Sequence, residues 1–511
     1  MSDWTAGYVA DIGYTYGYYP ELNPSRVRLA FLNAGLVPPE VGNACELGFG
    51  QGMSANLHAA ASVIQWSGTD FNPAQAAFAQ ELAGVAASGA QLFDEAFDQF
   101  CNRTELPEFD YIGLHGIWSW ISDENRAVIV DFVRRKLKVG GVLYISYNTQ
   151  PGWAAMVPMR DLLTEHAEVL GAEGAGIVSR IDSALTFADQ LLAANPAYAR
   201  ANPQIAERIQ RIKAQDRHYV AHEYFNRDWQ PMAFAQMARW LAPAKLQWAC
   251  SAHYLDAIDA VNLSAEQQTL LASIPDPMFR QTVRDFCVNQ QFRKDYWVKG
   301  ARKLSALEQA EALRAQRVIL AQPRAEVSLK ITGSLGEATL QEAVYGPILE
   351  QLADHKPKSL GELEKTLQSS GIGFAQIREA TMVLASAGVV LAVQDEAATQ
   401  KAKKRVERLN THLMIKARSS NELNYLASPV TGGGITVPRF QQLFVLARQQ
   451  GHKQPQDWAN FVWNILAMQN QRLVKDGKAL ESAEENLAEL TVQASEFAEK
   501  RLPILKALQI A

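Results

Sequence analysis

The chain is 511 residues long, more than one hydrophobic core usually serves, so two or three domains are expected. With 48% hydrophobic residues, 20% charged residues and a formal net charge of −5, it reads as globular, with no overall pull toward nucleic acid or anionic lipid. Four scattered cysteines with no CxxC pair argue against a disulfide framework or a cysteine-rich metal site and fit a reducing compartment.

The opening stretch "MSDWTAGYVADIGYTYGYYPELNPSR" lacks the basic and apolar regions of a secretory signal. No run of about 18 apolar residues occurs either. The expectation is a cytoplasmic protein without a membrane partner. Residues 1–40 form a Tyr-, Gly- and Pro-rich arm or lid that turns helical at "SRVRLAFLNAGLVPP".

From residue 41 to 156, short apolar runs alternate with amphipathic stretches. "ACEL", "IQWSGTDF", "AQLFDE", "FDYIGLHG" and "GGVLYISYN" read as strands. "SANLHAAASVI", "PAQAAFAQELAGVAA", a short helix after the third strand and "DENRAVIVDFVRRKL" read as helices. This alternation predicts an α/β core with a parallel sheet covered on both faces.

Residues 157–216 read as a helical insertion, serving as a lid or for dimerisation. Over 217–300, "QPMAFAQMARWL" is a helix and "AKLQWACSA" a strand that could return to complete the sheet. The stretch 264–315 is expected to be helical. Residues 301–511 form a mainly helical C-terminal region, with a winged-helix-like unit around 340–395 and a loop at "SPVTGGGITVP".

At the first strand–helix junction the chain reads "ELGFGQG", with Glu46 before Gly48, Gly50 and Gly52. This is not G-x-G-x-x-G, and no G-K-[ST] follows, which disfavours a Walker phosphate loop. Glycines at such a junction let the backbone turn tightly and approach a ligand. Asp70, 18 positions beyond Gly52 at the next strand end, is placed to accept hydrogen bonds from ribose hydroxyls. An acid such as Glu46 is compatible with a cationic ligand end and unfavourable to a pyrophosphate. An adenosine-type ligand with a sulfonium, S-adenosylmethionine, therefore suits the pattern.

Here the chain also resembles class I methyltransferases that carry a methyltransferase regulatory domain, including bacterial lysine methyltransferases acting on outer-membrane protein. The stretches that carry the likeness are "YPELNPSRVRLAFLNAGLVPPE", "CELGFGQGMSANL", "GLHGIWSWIS", "LKVGGVLYISYNTQPGW" and "HEYFN…FCVNQQFRKDYW", over roughly residues 14–300. The resemblance implies a Rossmann-like class I sheet. It implies that Glu46, Gly48, Gly50 and Gly52 wrap the methionine end and ribose, that Asp70 holds the ribose, and that Phe71 lies beside the adenine. Asp94, Ala96 and Phe97 would frame the adenine, and His115 would also border the cofactor. Phe49 stands where many relatives have a small residue or a cysteine.

Methyl transfer needs an aligned, unprotonated nucleophile and exclusion of water. The stretches after the fourth and fifth strands place His115, Trp118, Trp120, Tyr147, Asn148 and Trp153 at the edge where parallel-sheet sites form. Aromatic rings there could shape a channel for a lysine stem and attract its cationic head. Tyr147 or Asn148 could orient the amine, with His115 as a general base near neutral pH and Trp118 in the catalytic group. The plainer alternative makes Trp118 and Trp120 core aromatics and His115 structural. In the arm, Tyr16, Tyr18 and Tyr19 would face the acceptor, unless the arm is an ordinary surface segment.

His218 and His222, four apart, could share a zinc ion, but two packed histidines fit better and no metal is expected. The basic run "QKAKKRVERL" fits a solvated helix face better than a nucleic-acid contact. The reading is an S-adenosylmethionine-dependent methyltransferase acting on a protein side chain, with lysine favoured, and able to form a homodimer. A small-metabolite acceptor and a catalytically silent cofactor-binding protein are the alternatives.

Overall fold

The computed structural model describes residues 7–9, 12–171, 174 and 176–511; the other positions of the expected arm and insertion lie outside these. The strands β1 (Asn43–Leu47), β2 (Gln65–Asp70), β3 (Gln91–Asp94), β4 (Phe109–Leu114) and β5 (Leu137–Asn148) form as the alternation implied. Between them lie α2 (Met53–Ala61), α3 (Pro73–Ala86), the short α4 (Phe97–Phe100) and α5 (Asp123–Lys136), preceded by α1 (Pro24–Asn33). Local chemistry sets their starts. The Asn72 side chain caps α3 through Ala74 N–H at 3.0 Å with proline in its first turn, and Ser122 caps α5 through Asn125 N–H at 3.3 Å.

Two further strands, β6 (Leu246–Ser251) and β7 (Phe292–Lys299), join the same sheet. Its order is β3-β2-β1-β4-β5-β7-β6, with β7 antiparallel to both neighbours and β1 to β5 parallel. This is the Rossmann-like sheet of class I methyltransferases. The stretch "AKLQWACSA" forms β6, the edge strand beside β7. The helical expectation over 264–315 fails at 292–299. The charged run "FRKDYWVK" is a strand because its inward charges are paired. Arg293 binds Asp285 at 2.5 Å and Asp295 at 2.8 Å, and Trp248 Nε1–H and Tyr147 O–H donate to Asp295 at 2.9 and 3.0 Å.

The two faces of the sheet are apolar and separately covered. Cys45, Ile112, Leu143, Ile145, Tyr147 and Trp297 face α4 and α5. Ala44, Tyr111, Val142, Tyr144 and Tyr296 face α1. Between β5 and β6 lie α6 (Val157–Val169), α7 (Ile177–Ala193), α8 (Ala197–Ala201), α9 (Gln204–Lys213), α10 (Arg217–Tyr224) and α11 (Phe234–Leu241). The first five share a core of their own around Trp153, Leu163, Ile181, Ile209 and Val220.

In the C-terminal region, helices Glu342–Leu352, Leu360–Leu367 and Phe374–Ser386 pack with strands Lys358–Ser359 and Val390–Ala392. The third strand of that small sheet, Arg317–Leu320, precedes the helices, and helix Glu396–Lys416 follows the last strand directly. The unit therefore has the helices and sheet of the expected arrangement without a hairpin wing after them. The stretch "SPVTGGGITVP" is not a plain loop. It is built around a hairpin of Tyr425–Ser428 and Gly433–Thr436. Among the described residues no helix is long and apolar enough to cross a membrane.

Candidate active site

The chain turns from β1 into α2 through Gly48, Gly50 and Gly52, whose φ angles are +72°, +56° and +68°. All lie in the left-handed region that favours glycine. Space adds to this at Gly52, where a Cβ would stand 2.4 Å from the Ala79 Cβ. The turn is fastened to β2. Thr69 C=O accepts from Gly48 N–H at 2.8 Å, and Asp70 Oδ2 accepts from Gly50 N–H at 2.8 Å. Asp70 Oδ1 accepts from Asn72 N–H at 3.0 Å, and each oxygen retains a lone pair for a ligand. Phe49 points away from this edge, into an apolar cluster with Ala76, Ala79 and Leu92.

Two buried acids therefore flank the glycine turn. Burial pushes Asp70 up to about 7, opposed by the N–H groups of Asn72 and Gly50. Burial, with Asp70 nearby, pushes Glu46 up to about 8, and its Oε2 is buried without a hydrogen-bond partner. Neither acid owes its state to a cation of the chain. A cationic ligand carrying hydroxyl donors fits this donor set, and a pyrophosphate does not.

Phe71 meets the edge of Tyr8 at a ring separation of 5.7 Å. Asp94 is exposed at the end of β3, opposite Asp70 in register. Ala96 caps α4, and Phe97 lies partly buried at its start. His115 stacks under Tyr19 at 3.7 Å, and its Nδ1 meets the Tyr144 hydroxyl at 2.7 Å. Burial holds His115 down at about 3, with Glu21 pulling upward and Lys294 downward. It is neutral at physiological pH and too weak to be the general base expected near neutrality.

Other expected site residues are turned elsewhere. Tyr147 shares the face of β5 that carries Leu143 and Ile145, because side chains alternate along a strand. Its hydroxyl is spent on Asp295. Trp118 is fully buried on the same side, with Met232 Sδ 3.3 Å from its Nε1 and Trp240 edge-on at 5.9 Å. Trp153 belongs to the core of the helical insertion, against Trp229 and under the Arg208 guanidinium. Asn148 and Trp120 do reach the edge. Trp120 Nε1–H donates to the backbone C=O of Glu223 at 3.1 Å, and the Asn148 amide lies beside the Glu223 carboxyl.

The arm crosses this edge, with different tyrosines inward than expected. Tyr16 packs edge-on against Phe78 at 5.1 Å. Tyr18 reaches His58 Nε2 at 3.2 Å and fills the space over Gly433 and Gly434 of the C-terminal hairpin. The inward residues are Tyr8, Tyr14 and Tyr19. Tyr14 Cδ1 is 3.4 Å from where a Gly50 Cβ would be, and the Tyr14 and Tyr19 hydroxyls lie within electrostatic reach of each other. His222 Nε2–H donates to Ile12 C=O and His218 Nδ1–H to Gly13 C=O, each at 3.0 Å. Asn226 Oδ1 accepts from Val9 N–H at 2.8 Å. The histidine pair thus straps the arm to α10. Sequence reasoning missed Tyr8, Tyr14 and Glu223, although "HEYFN" was one of the stretches that carried the resemblance.

Residues 216–299 match the family model of a predicted methyltransferase regulatory domain. Over 513 aligned residues the chain is 41% identical to the Synechocystis sp. protein sll1526, covering 99% of this chain and 100% of that protein. It is 25% identical over 286 residues to the Rickettsia prowazekii protein RP789, covering 54% of this chain and 49% of the other. The structure of PKMT2 from Rickettsia typhi in complex with AdoHcy superposes with a TM-score of 0.68 at 18% identity, covering 96% of this chain and 98% of the other. That likeness shows the fold.

Proposed function

The chain belongs to the family of the Synechocystis protein sll1526 and has the class I methyltransferase fold, and we propose that it transfers a methyl group from S-adenosylmethionine to a protein lysine. The observation that carries this reading is the pair of buried acids, Glu46 and Asp70, around a glycine turn at the carboxyl edge of the sheet. Asp70 would accept from the ribose hydroxyls through its free lone pairs. Glu46 would face the positive end of the methionine moiety. The cofactor, when bound, supplies a methyl group already activated by sulfonium.

The chain's part is then to place the acceptor and keep water out. Tyr14 and Tyr19 wall the edge above the glycine turn and His115. His115, neutral and stacked, contributes shape rather than proton transfer. Binding of AdoHcy by the Rickettsia typhi protein on the same fold supports the cofactor assignment. An arm strapped over a site must open for its ligands, and the aromatic lining suits a lysine stem and its cationic head.

The test pairs calorimetry with labelling. S-adenosylmethionine should bind the full-length protein, and an Asp70→Ala variant should bind at least about tenfold more weakly. Incubation with methyl-labelled cofactor and fractionated lysate should place label in protein that survives a denaturing gel. Label in small molecules alone would move the acceptor to a metabolite, and binding without transfer would indicate a silent cofactor-binding protein. No binding at millimolar cofactor would overturn the reading entirely.

A further inference from the structure

Above β5 the arm and α10 bring together a group of aromatic side chains beside the residues assigned to the cofactor. A chain of aromatic contacts runs through it: Phe71 on Tyr8, Tyr8 and Tyr14 on His222 at 5.4 and 5.1 Å, and Tyr19 on His115. Trp120 closes the far side through its bond to the Glu223 backbone. Glu223 follows His222 on α10 and is half-buried beside this group. Its charge is felt by the hydroxyls of Tyr8, Tyr14, Tyr19 and Tyr219, and its neighbours on other elements are Asn148 of β5 and Arg208 of α9. It makes no ion pair among the described residues. Tyr8 is also within electrostatic reach of Asp70, and Tyr19 of Glu46, so the aromatic group adjoins the proposed cofactor acids.

We propose that Glu223, walled by Tyr8, Tyr14, Tyr19 and Tyr219, is the binding site for a primary alkylammonium and the catalytic base that removes its proton before methyl transfer. This rests on the methyltransferase reading and names the residue that would bind and deprotonate its proposed lysine acceptor. Ring faces attract a cation, and a carboxylate among them fixes its direction. Tyrosine hydroxyls and the Asn148 amide can orient the nitrogen while leaving its lone pair free once the proton has gone. Burial pushes the Glu223 carboxyl up to about 7, opposed by Asn148 and Arg208, which suits an acid–base group working at neutral pH. His222, beside it in the chain, is bound to the Ile12 carbonyl and is held below its usual value by burial, so it does not compete for this task.

The ammonium N–H bond breaks and an O–H bond forms on Glu223. The freed lone pair makes the new N–CH3 bond, and the S–CH3 pair stays with the sulfur of S-adenosylmethionine. The product is a secondary ammonium whose positive charge comes from the sulfonium, which becomes a neutral thioether, and the Glu223 proton leaves to solvent on product release.

The experiment uses full-length protein saturated with S-adenosylhomocysteine and two probes, a lysine–alanine peptide and the same peptide with every lysine acetylated. The wild type should prefer the free-amine peptide by at least about tenfold, and its binding between pH 6 and 7 should release protons. Glu223→Gln should abolish both the preference and the proton release while holding S-adenosylhomocysteine within about twofold, which also shows that the variant is folded. Glu223→Asp should keep part of the preference. A wild type that does not prefer the free amine, or a Gln variant that retains the preference, overturns the proposal. A Gln variant that loses the cofactor product while its thermal melt is unchanged does so too, by returning Glu223 to the donor site. Failure of the wild type to bind S-adenosylhomocysteine would instead overturn the methyltransferase reading.

Discussion

Glu46 and Asp70 are carboxyls that the fold buries without supplying a cation to offset their charge. Such groups ionise late, and a cationic ligand that needs them ionised must drive protons off. Both are largely protonated at pH 6 and increasingly charged by pH 7.5, because they are pushed up to about 8 and about 7. S-adenosylmethionine should therefore bind about tenfold more tightly at pH 7.5 than at pH 6, with net proton release. S-adenosylhomocysteine, which lacks the sulfonium, should gain less. Calorimetry at several pH values in two buffers of different ionisation enthalpy measures both quantities, and a flat or falling profile would contradict the role given to these acids. The glycine turn and Asp70 were legible in the sequence because their signal is local: three glycines and one acid at a spacing set by a single strand–helix unit. The Tyr147 assignment failed on alternation. Asn148 and Tyr147 are neighbours in the chain, but they lie on opposite faces of β5, and only the pairing of that strand decides which one meets the site.

Among the elements, the arm and β7 show where pattern reading ends. The arm carries many tyrosines with no helical or strand period to rank them. Tyr18 and Tyr16 are drawn off by the C-terminal hairpin and Phe78, leaving Tyr8, Tyr14 and Tyr19 over the carboxyl edge of the sheet. The straps from His218 and His222 are two hydrogen bonds, each contributing about 1 kcal/mol. Replacing both histidines with alanine should make the arm cleavable by protease in the free protein and weaken the cofactor about tenfold or more, with the thermal melt of the core little changed. An arm that stays protected in that variant would show that the straps do not hold it. β7 was hidden for a related reason. Its buried charges read as a basic helix until Asp285, eight residues upstream, and Tyr147, from a distant position, supply the partners that let Arg293 and Asp295 face inward.

For the whole molecule, the C-terminal region covers the outer side of the α/β core. Met53, Leu57 and Ala61 of α2 and Leu82 of α3 lie in one buried cluster with Val406, Leu409 and Leu413 of the helix Glu396–Lys416. The basic residues Lys401, Lys403, Lys404 and Arg408 of that helix stay exposed on its other side. Each large side chain in the shared cluster contributes about 1.5–3 kcal/mol by leaving water. A fragment ending at residue 300 should therefore lose soluble yield or bind a hydrophobic dye strongly. A monomeric fragment with the cofactor affinity of the full chain would show that the two parts are independent.

The sequence by itself determined the strand–helix alternation, the glycine turn and the acid at the end of β2, because each depends on residues close together in the chain. Tertiary structure alone decided which aromatic residues face the site, that β7 is a strand, and that Glu223 of α10 reaches the edge of β5. Those outcomes depend on strand register, on which face a neighbour covers, and on charges that can be buried only when partners from elsewhere arrive to pair with them.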